Sequence, residues 1–173
     1  MKESITRVPT GSAEYSELVQ WLYDEAYLLD SGEFEQWFNL MTEDISYEMP
    51  ARISVMPKEG SGFAEHSGLF SENHSSLMAR VKRLQTEQAW AEQPRSRTRH
   101  LITNVVVDRM SSGDFDVRSA FLITRARADR VSDTFTGERH DILRRAGSSW
   151  KLARRLILLD QTVIKSHNLS FFF

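Results

Sequence analysis

Between Arg99 and Ile164 the chain reads as four long β-forming segments joined by short turns, and a sheet of that size dictates what the rest must do. Arg99–Met110 is followed by the turn residues Ser111-Ser112-Gly113-Asp114. Phe115–Ala128 and Thr134–Arg145 come next, and Ala146-Gly147-Ser148-Ser149 leads into Trp150–Ile164. β-Branched and aromatic runs separated by Ser, Gly and Asp clusters mark hairpins, because those small residues adopt the turn dihedrals. The four segments predict one antiparallel meander carrying more than a third of the 173 residues. One face of such a sheet must be buried against another layer.

The first half of the chain has the patterning to supply that layer. Residues 1–12 read as a loose lead-in, closed by Pro9-Thr10-Gly11-Ser12. Ser12 is placed to cap a helix. Tyr15, Leu18, Val19, Leu22, Ala26 and Leu29 recur at helical spacing, and Gly32 suits the left-handed closing position. A second helix is predicted over Glu33–Met41, with Phe34, Trp37, Phe38 and Met41 on one face, followed by a strand over Ile45–Ile53. Pro57 to Ser71 is Gly- and Ser-rich and reads as a long excursion of the kind that is functional or meets a partner. Glu72 to Gln88 is helix-compatible through Leu77, Val81 and Leu84, and Trp90 to Arg97 is irregular around Pro94. Helices grouped before an antiparallel meander argue an α+β fold, a curved sheet wrapped over its helices, in a single domain spanning 1–173 with a tail at 166–173.

The last predicted strand is apolar on both faces through Ile157-Leu158-Leu159, and the chain closes on Phe171-Phe172-Phe173. A two-faced apolar strand needs cover on both sides. Three phenylalanines in water would form a contact patch. Both features point to an oligomer or a partner.

Charge is segregated. Ten acidic residues and no Lys or Arg lie between Ala13 and Ala51, whereas the strand region carries Arg97, Arg99, Arg109, Arg118, Arg125, Arg139, Arg144, Arg145, Arg154 and Arg155 among others. Those arginines alternate with apolar residues inside strands, unlike a Lys-rich nucleic-acid tail, so they are expected to fork onto carboxylates of the acidic half or of a neighbour. Arg139, Arg144, Arg154 and Arg155 are predicted to sit in partly buried ion networks. No run approaches the length of a membrane helix, the start has no apolar signal core, and cytoplasm is the expected compartment. No nucleic-acid or membrane partner is expected.

Catalytic templates are absent from the sequence. With no cysteine there is no thiolate ligand or nucleophile. His66 and His74 match no helical metal motif and read as loop histidines. His100, entering a strand, reads as a hydrogen-bonded structural residue, and His140 as part of a charged outer face. Neighbouring carboxylates such as Asp24-Glu25 diverge on a helix and read as a solvated face. Trp21, Trp37, Phe34 and Phe38 read as core. No catalytic, cofactor-binding or metal-ligating residue is assigned.

Eight stretches stand out together: Tyr23-Asp24-Glu25-Ala26-Tyr27-Leu28-Leu29-Asp30, Phe34-Glu35-Gln36-Trp37-Phe38, Tyr47-Glu48-Met49-Pro50, Trp90-Ala91-Glu92-Gln93-Pro94, Arg97 to Val107, Gly137 to Arg145, Ile157-Leu158-Leu159-Asp160 and Asn168-Leu169-Ser170. In that order they resemble the small (β) subunits of aromatic-ring-hydroxylating, Rieske-type dioxygenases, in particular the biphenyl, benzene and polycyclic-aromatic branch. The resemblance implies a cone-like fold of the nuclear-transport-factor-like, or cystatin-like, kind. It also implies assembly with a large (α) subunit, three of each, in a hetero-hexamer. In that family the large subunit holds the Rieske [2Fe-2S] cluster and the mononuclear Fe(II), so no cofactor is expected in this chain. The implied function is a non-catalytic structural subunit of a terminal oxygenase that cis-dihydroxylates arenes with O2 and electrons from NAD(P)H. The alternative is a free-standing isomerase or dehydratase on the same cone, with His100 and a carboxylate as its acid–base pair.

Overall fold

A computed structural model describes residues 5–56, 60–86, 95–127, 132–164, 166 and 168–173, the side chains of 65–67 excepted. The elements run in the order β1 (Thr6–Arg7), α1 (Ala13–Ser31), α2 (Phe34–Phe38), β2 (Met41–Arg52), β3 (Phe63–Glu72), α3 (His74–Leu84), β4 (Arg97–Arg109), β5 (Phe115–Ala126), β6 (Asp133–Ala146) and β7 (Ser149–Leu159). The strands form one sheet in the order β1-β4-β5-β6-β7-β2-β3. The predicted meander is β4 to β7, paired antiparallel throughout. β2 then joins β7 in parallel and carries β3 antiparallel on its far side.

Alternation along β5 is complete: Phe115, Val117, Ser119, Phe121, Ile123 and Arg125 point inward, and the residues between them are half-buried on the outer face. The helices lie inside the curve. Leu18, Leu22, Ala26 and Leu29 of α1, with Trp37 and Phe38 of α2, meet Val107, Val117, Leu143 and Leu152 in one core. Ser12 caps α1 by accepting from the Tyr15 N–H, and Gly32 closes it in the left-handed conformation at φ 76°. Asn73 caps α3 reciprocally with Ser76. β4 carries a bulge between Thr103 and Val106, where Asn104 takes φ 52° and the Val105 carbonyl accepts from the Tyr15 hydroxyl at 3.1 Å.

Four expectations change. The excursion contains a strand, β3, because pairing with β2 overrides a Gly- and Ser-rich stretch that lacks alternation. The second helix ends at Phe38, and β2 begins already at Met41. β7 stops at Leu159, opposite Gly137 and short of the start of β6 at Asp133, and the Asp160 N–H makes a last main-chain bond to the Thr136 carbonyl. The lead-in supplies β1, which pairs with β4, and buries Val8.

The largest correction concerns the tail. Phe171, Phe172 and Phe173 are not a contact patch; they are 5%, 1% and 0% exposed, folded back into the chain's own core. Burying three rings intramolecularly removes far more apolar surface from water than the rim of a subunit contact would. The Ile157-Leu158-Leu159 run divides as alternation requires, with Ile157 and Leu159 buried inward and Leu158 half-buried on the outer face.

Candidate functional site

The interior of the cone is where chemistry-bearing side chains converge, and the tail occupies it. The ring of Phe172 stacks on Trp37 with centroids 4.2 Å apart and meets the edge of Phe34 at 5.7 Å. Phe173 sits among Phe70, Phe121 and Phe135 at 5.7–6.3 Å, and Phe171 packs on Phe135 at 5.1 Å. Polar contacts fix the tail's backbone. Arg125 donates to the Asn168 carbonyl at 2.9 Å, and Arg80 to the Leu169 and Phe171 carbonyls at 3.2 and 3.3 Å. The Tyr47 hydroxyl donates to the main-chain oxygen of Phe173 at 3.0 Å and accepts from its N–H at 2.8 Å. Burial pushes the Tyr47 phenol up, with the Glu25 charge adding to it, against the opposing pull of Arg155.

An acid–base pair lies beside the tail. Asp30, one residue inside the C-terminal end of α1, faces His100 of β4 with Oδ1 2.6 Å from Nδ1. Its other oxygen accepts from the His100 main-chain N–H at 3.1 Å, and Thr98 donates to Oδ1 at 3.0 Å. Burial works to raise the Asp30 carboxyl, but the hydrogen bonds and charge from His100 outweigh it and hold the group below the usual carboxylate range. The second ring nitrogen, Nε2, lies 3.1 Å from the Phe172 carbonyl, an oxygen that only accepts. Both nitrogens are therefore engaged, one by a carboxylate and one by the tail. The cleft left beside them, lined in part by Leu29, Thr98, Phe171 and Phe172, holds about 70 Å³. That is under half of the ~150 Å³ that accommodates benzene in an apolar core.

Deeper in the cone is a cluster of four charges. Arg155 uses all five of its donors. Nε and Nη2 grip Asp141 at 2.9 and 2.8 Å, and Nη1 and Nη2 grip Glu25 at 2.5 and 2.9 Å. Nη1 also donates to the Phe173 main-chain oxygen at 2.7 Å. Arg139 lies alongside, 3.3 Å from Glu25 and 4.0 Å from Asp141, and Trp37 Nε1 donates to Glu25 at 3.0 Å. All four charged residues are fully buried. Burial opposes the Glu25 charge, yet Arg155 and Arg139 overcome it and bring the carboxyl from 4.5 down to about 2. Burial and the like charge of Arg155 lower Arg139, whereas Asp141 and Glu25 hold Arg155 above its ordinary value despite burial. Two guanidiniums and two carboxylates make a neutral set, which is the form in which charge is tolerated in a core.

Comparison with known proteins decides the family. The model for the ring hydroxylating beta subunit matches residues 24–166. The biphenyl 2,3-dioxygenase subunit beta of Rhodococcus jostii (strain RHA1) is 42% identical over 173 residues, covering 95% of this chain and 91% of the relative. The chain belongs to the ring-hydroxylating β-subunit family. Among solved structures, a naphthalene 1,2-dioxygenase with indole bound in the active site superposes with TM-score 0.82 at 24% identity, covering 91% of this chain and 84% of that one. A putative scytalone dehydratase from Novosphingobium aromaticivorans DSM 12444 shares the fold at TM-score 0.63 and 19% identity, covering 86% of this chain and 85% of that one.

Within this β-subunit fold the predicted residues fall as follows. His100 is the hydrogen-bonded residue expected, though partnered by Asp30 and the tail. His140 lies on the outer face, 3.3 Å from Glu138. His74 opens α3 and packs on Phe38 with ring centroids 4.6 Å apart. The side chain of His66, and His167, lie outside the described residues, and so does the question of a His66–His74 approach. Among the described residues no three His, Cys, Asp or Glu are grouped to hold a metal. Trp21, Trp37 and Phe38 are core, as read.

Glu25 is a correction. It does diverge from Asp24, which is exposed, but Glu25 is fully buried rather than solvated. The signal was its place in the seam Leu18, Leu22, Glu25, Leu29, whose spacing faces the core. Arg154 is a second correction. It points outward and is exposed, one residue out of phase with Arg155. Arg144 bridges Asp44 at 3.0 Å and Asp114 at 3.5 Å with a side chain 43% exposed, a surface network more than a buried one. The expected pairing between the acidic half and the strand arginines holds at Glu14–Arg109, Glu17–Arg145, Glu25–Arg155, Asp30–Arg99 and Asp44–Arg144.

Proposed function

We propose that this chain is the structural small subunit of the terminal oxygenase of an aromatic-ring-hydroxylating dioxygenase, folded as a single domain and itself without catalytic residues. It assembles with a large subunit and with its own copies, three of each. The large subunit carries the Rieske cluster and the mononuclear iron. The whole complex adds both atoms of O2 to an arene to give a cis-dihydrodiol, drawing electrons from NAD(P)H in aromatic catabolism. The observation that carries the structural role is the filled cone. The pocket that an isomerase or dehydratase would use is occupied by Phe171 to Phe173, and the outward nitrogen of the Asp30–His100 pair is taken by the Phe172 carbonyl. That occupancy disfavours the free-standing enzyme, although the acid–base pair it calls for is present. Half-buried Leu122, Leu156 and Leu158 on the outer face of the sheet support contacts with neighbours. No described helix is long and apolar enough to cross a membrane, which fits a cytoplasmic complex.

Co-expression with the large subunit tests the reading. The expected outcome is co-purification of the two chains, iron and arene turnover only when the large subunit is present, and turnover retained in a His100→Gln complex that still assembles. Stoichiometric iron or arene turnover in the isolated small chain would overturn it.

A further inference from the structure

The tail is held in a way that filling a hole does not require. Plugging an apolar cone needs only rings of the right volume. Here five side chains from five different elements direct donors at the tail's main chain: Arg125 from β5, Arg80 from α3, His100 from β4, and Tyr47 and Arg155 from β2 and β7. The main-chain oxygens of Asn168, Leu169, Phe171, Phe172 and Phe173 are each taken by one or two of them. Arg80 also lies over the faces of Phe70 and Phe172 at 4.3 and 4.8 Å, so it reads backbone and ring together. Hydrogen bonds to a peptide's main chain, with pockets for its side chains between them, are a general design of peptide recognition, backbone contacts giving affinity and pockets giving specificity. By contrast, Thr162 and Val163, on the way to the tail, are exposed, Val163 to 70%.

We propose that the cone interior is a peptide-binding groove, and that residues 168–173 are its ligand, supplied in cis. The chemical class of ligand is a short peptide ending in consecutive aromatic residues. Covalent attachment contributes effective concentration and no contact of its own. The same segment therefore occupies the groove when it belongs to a separate molecule. This goes beyond the structural role proposed above and stands or falls separately from it, since binding is read on the chain alone.

The test begins from the complete folded chain, with a protease site inserted between Thr162 and Val163. After cleavage, the fragment from Val163 to Phe173 remains with the protein through gel filtration and exchanges with an excess of the same peptide carrying a fluorophore. Intrinsic tryptophan emission reports occupancy, because Phe172 stacks on Trp37. A peptide with Phe172→Ala binds on the order of a hundredfold more weakly, and one with all three phenylalanines replaced does not bind. If the cleaved protein unfolds on losing its fragment, refolding is tried with and without added peptide, and recovery that depends on the peptide supports the groove. Three results overturn it: a fragment lost from a still-folded protein that takes up no labelled peptide, equal binding of the peptide without phenylalanines, or no recovery on refolding with peptide.

Discussion

Arg155 directs its five donors at two carboxylates and the Phe173 main-chain oxygen, so its removal takes five hydrogen bonds out of a dry core and leaves two carboxylates to the single guanidinium of Arg139. Arg155→Ala is expected to cost about 3–5 kcal/mol, the range for breaking a buried pair, with urea unfolding as the measurement. Arg154→Ala, one residue away on the outer face, is expected to change stability by less than about 0.5 kcal/mol. Equal effects would mean that the parity of β7 is misplaced. The same cluster sets an acid limit. In the unfolded chain Glu25 protonates near 4.5, while the folded chain keeps it ionised to about 2. Its contribution is therefore complete above about pH 4.5 and is lost as pH falls from there toward 2. Glu25→Gln is expected to flatten the stability profile across that window while lowering it above, because Gln leaves Arg155 and Arg139 short of a counter-charge. Gly137 marks a different constraint. A Cβ there would lie 2.2 Å from the Leu158 carbonyl oxygen, so β6 and β7 admit no side chain at that crossing. Gly137→Ala should cost about 1–3 kcal/mol, the usual penalty of overpacking, read as a lowered Tm.

At the scale of elements, the tail behaves as an eleventh element without secondary structure, stacked on α2 through Phe34 and Trp37, while α1 shares its core. Phe172→Ala removes a ring stacked on Trp37, so a loss of about 3 kcal/mol with altered tryptophan emission is expected, and an unchanged spectrum would place the ring elsewhere. The helix was legible in the sequence because Leu18, Leu22 and Leu29 repeat, and β4 to β7 were legible because turn chemistry separates β-branched runs. β3 was not. Its Gly- and Ser-rich stretch has no periodicity, and only the neighbouring β2 makes it a strand. The tail was misplaced for a related reason. A run of three phenylalanines states that a large apolar surface must be covered, and nothing local states by what. The charge cluster was half legible. Arginines inside strands signal pairing with the acidic half, and the apolar seam of α1 singles out Glu25 over Asp24, but which strand arginines it meets is set only by the sheet's register.

At the scale of the whole molecule, the segregation of charge in the sequence becomes a set of stitches between its halves. Acidic residues from Glu14 to Asp44 pair with arginines from Arg99 to Arg155, surface pairs at the rim and a dry set at the centre. Rim pairs are screened and worth little, so raised salt is expected to leave the unfolding midpoint nearly unchanged. A large fall in Tm with salt would show that the rim dominates. The same architecture fixes when the molecule can fold. Ser46 pairs with Arg154 across the parallel join of β2 and β7, and Glu25 meets its counter-charge 130 residues downstream. Contacts of such long separation slow folding, because loop closure is paid for before any pairing is gained. During synthesis α1 emerges with a carboxylate on its apolar seam, and its counter-charges Arg139 and Arg155 follow only with β6 and β7. The dry centre of the cone is therefore a late product of the order of the chain, closed only when the strands of the second half bring their guanidiniums to the first.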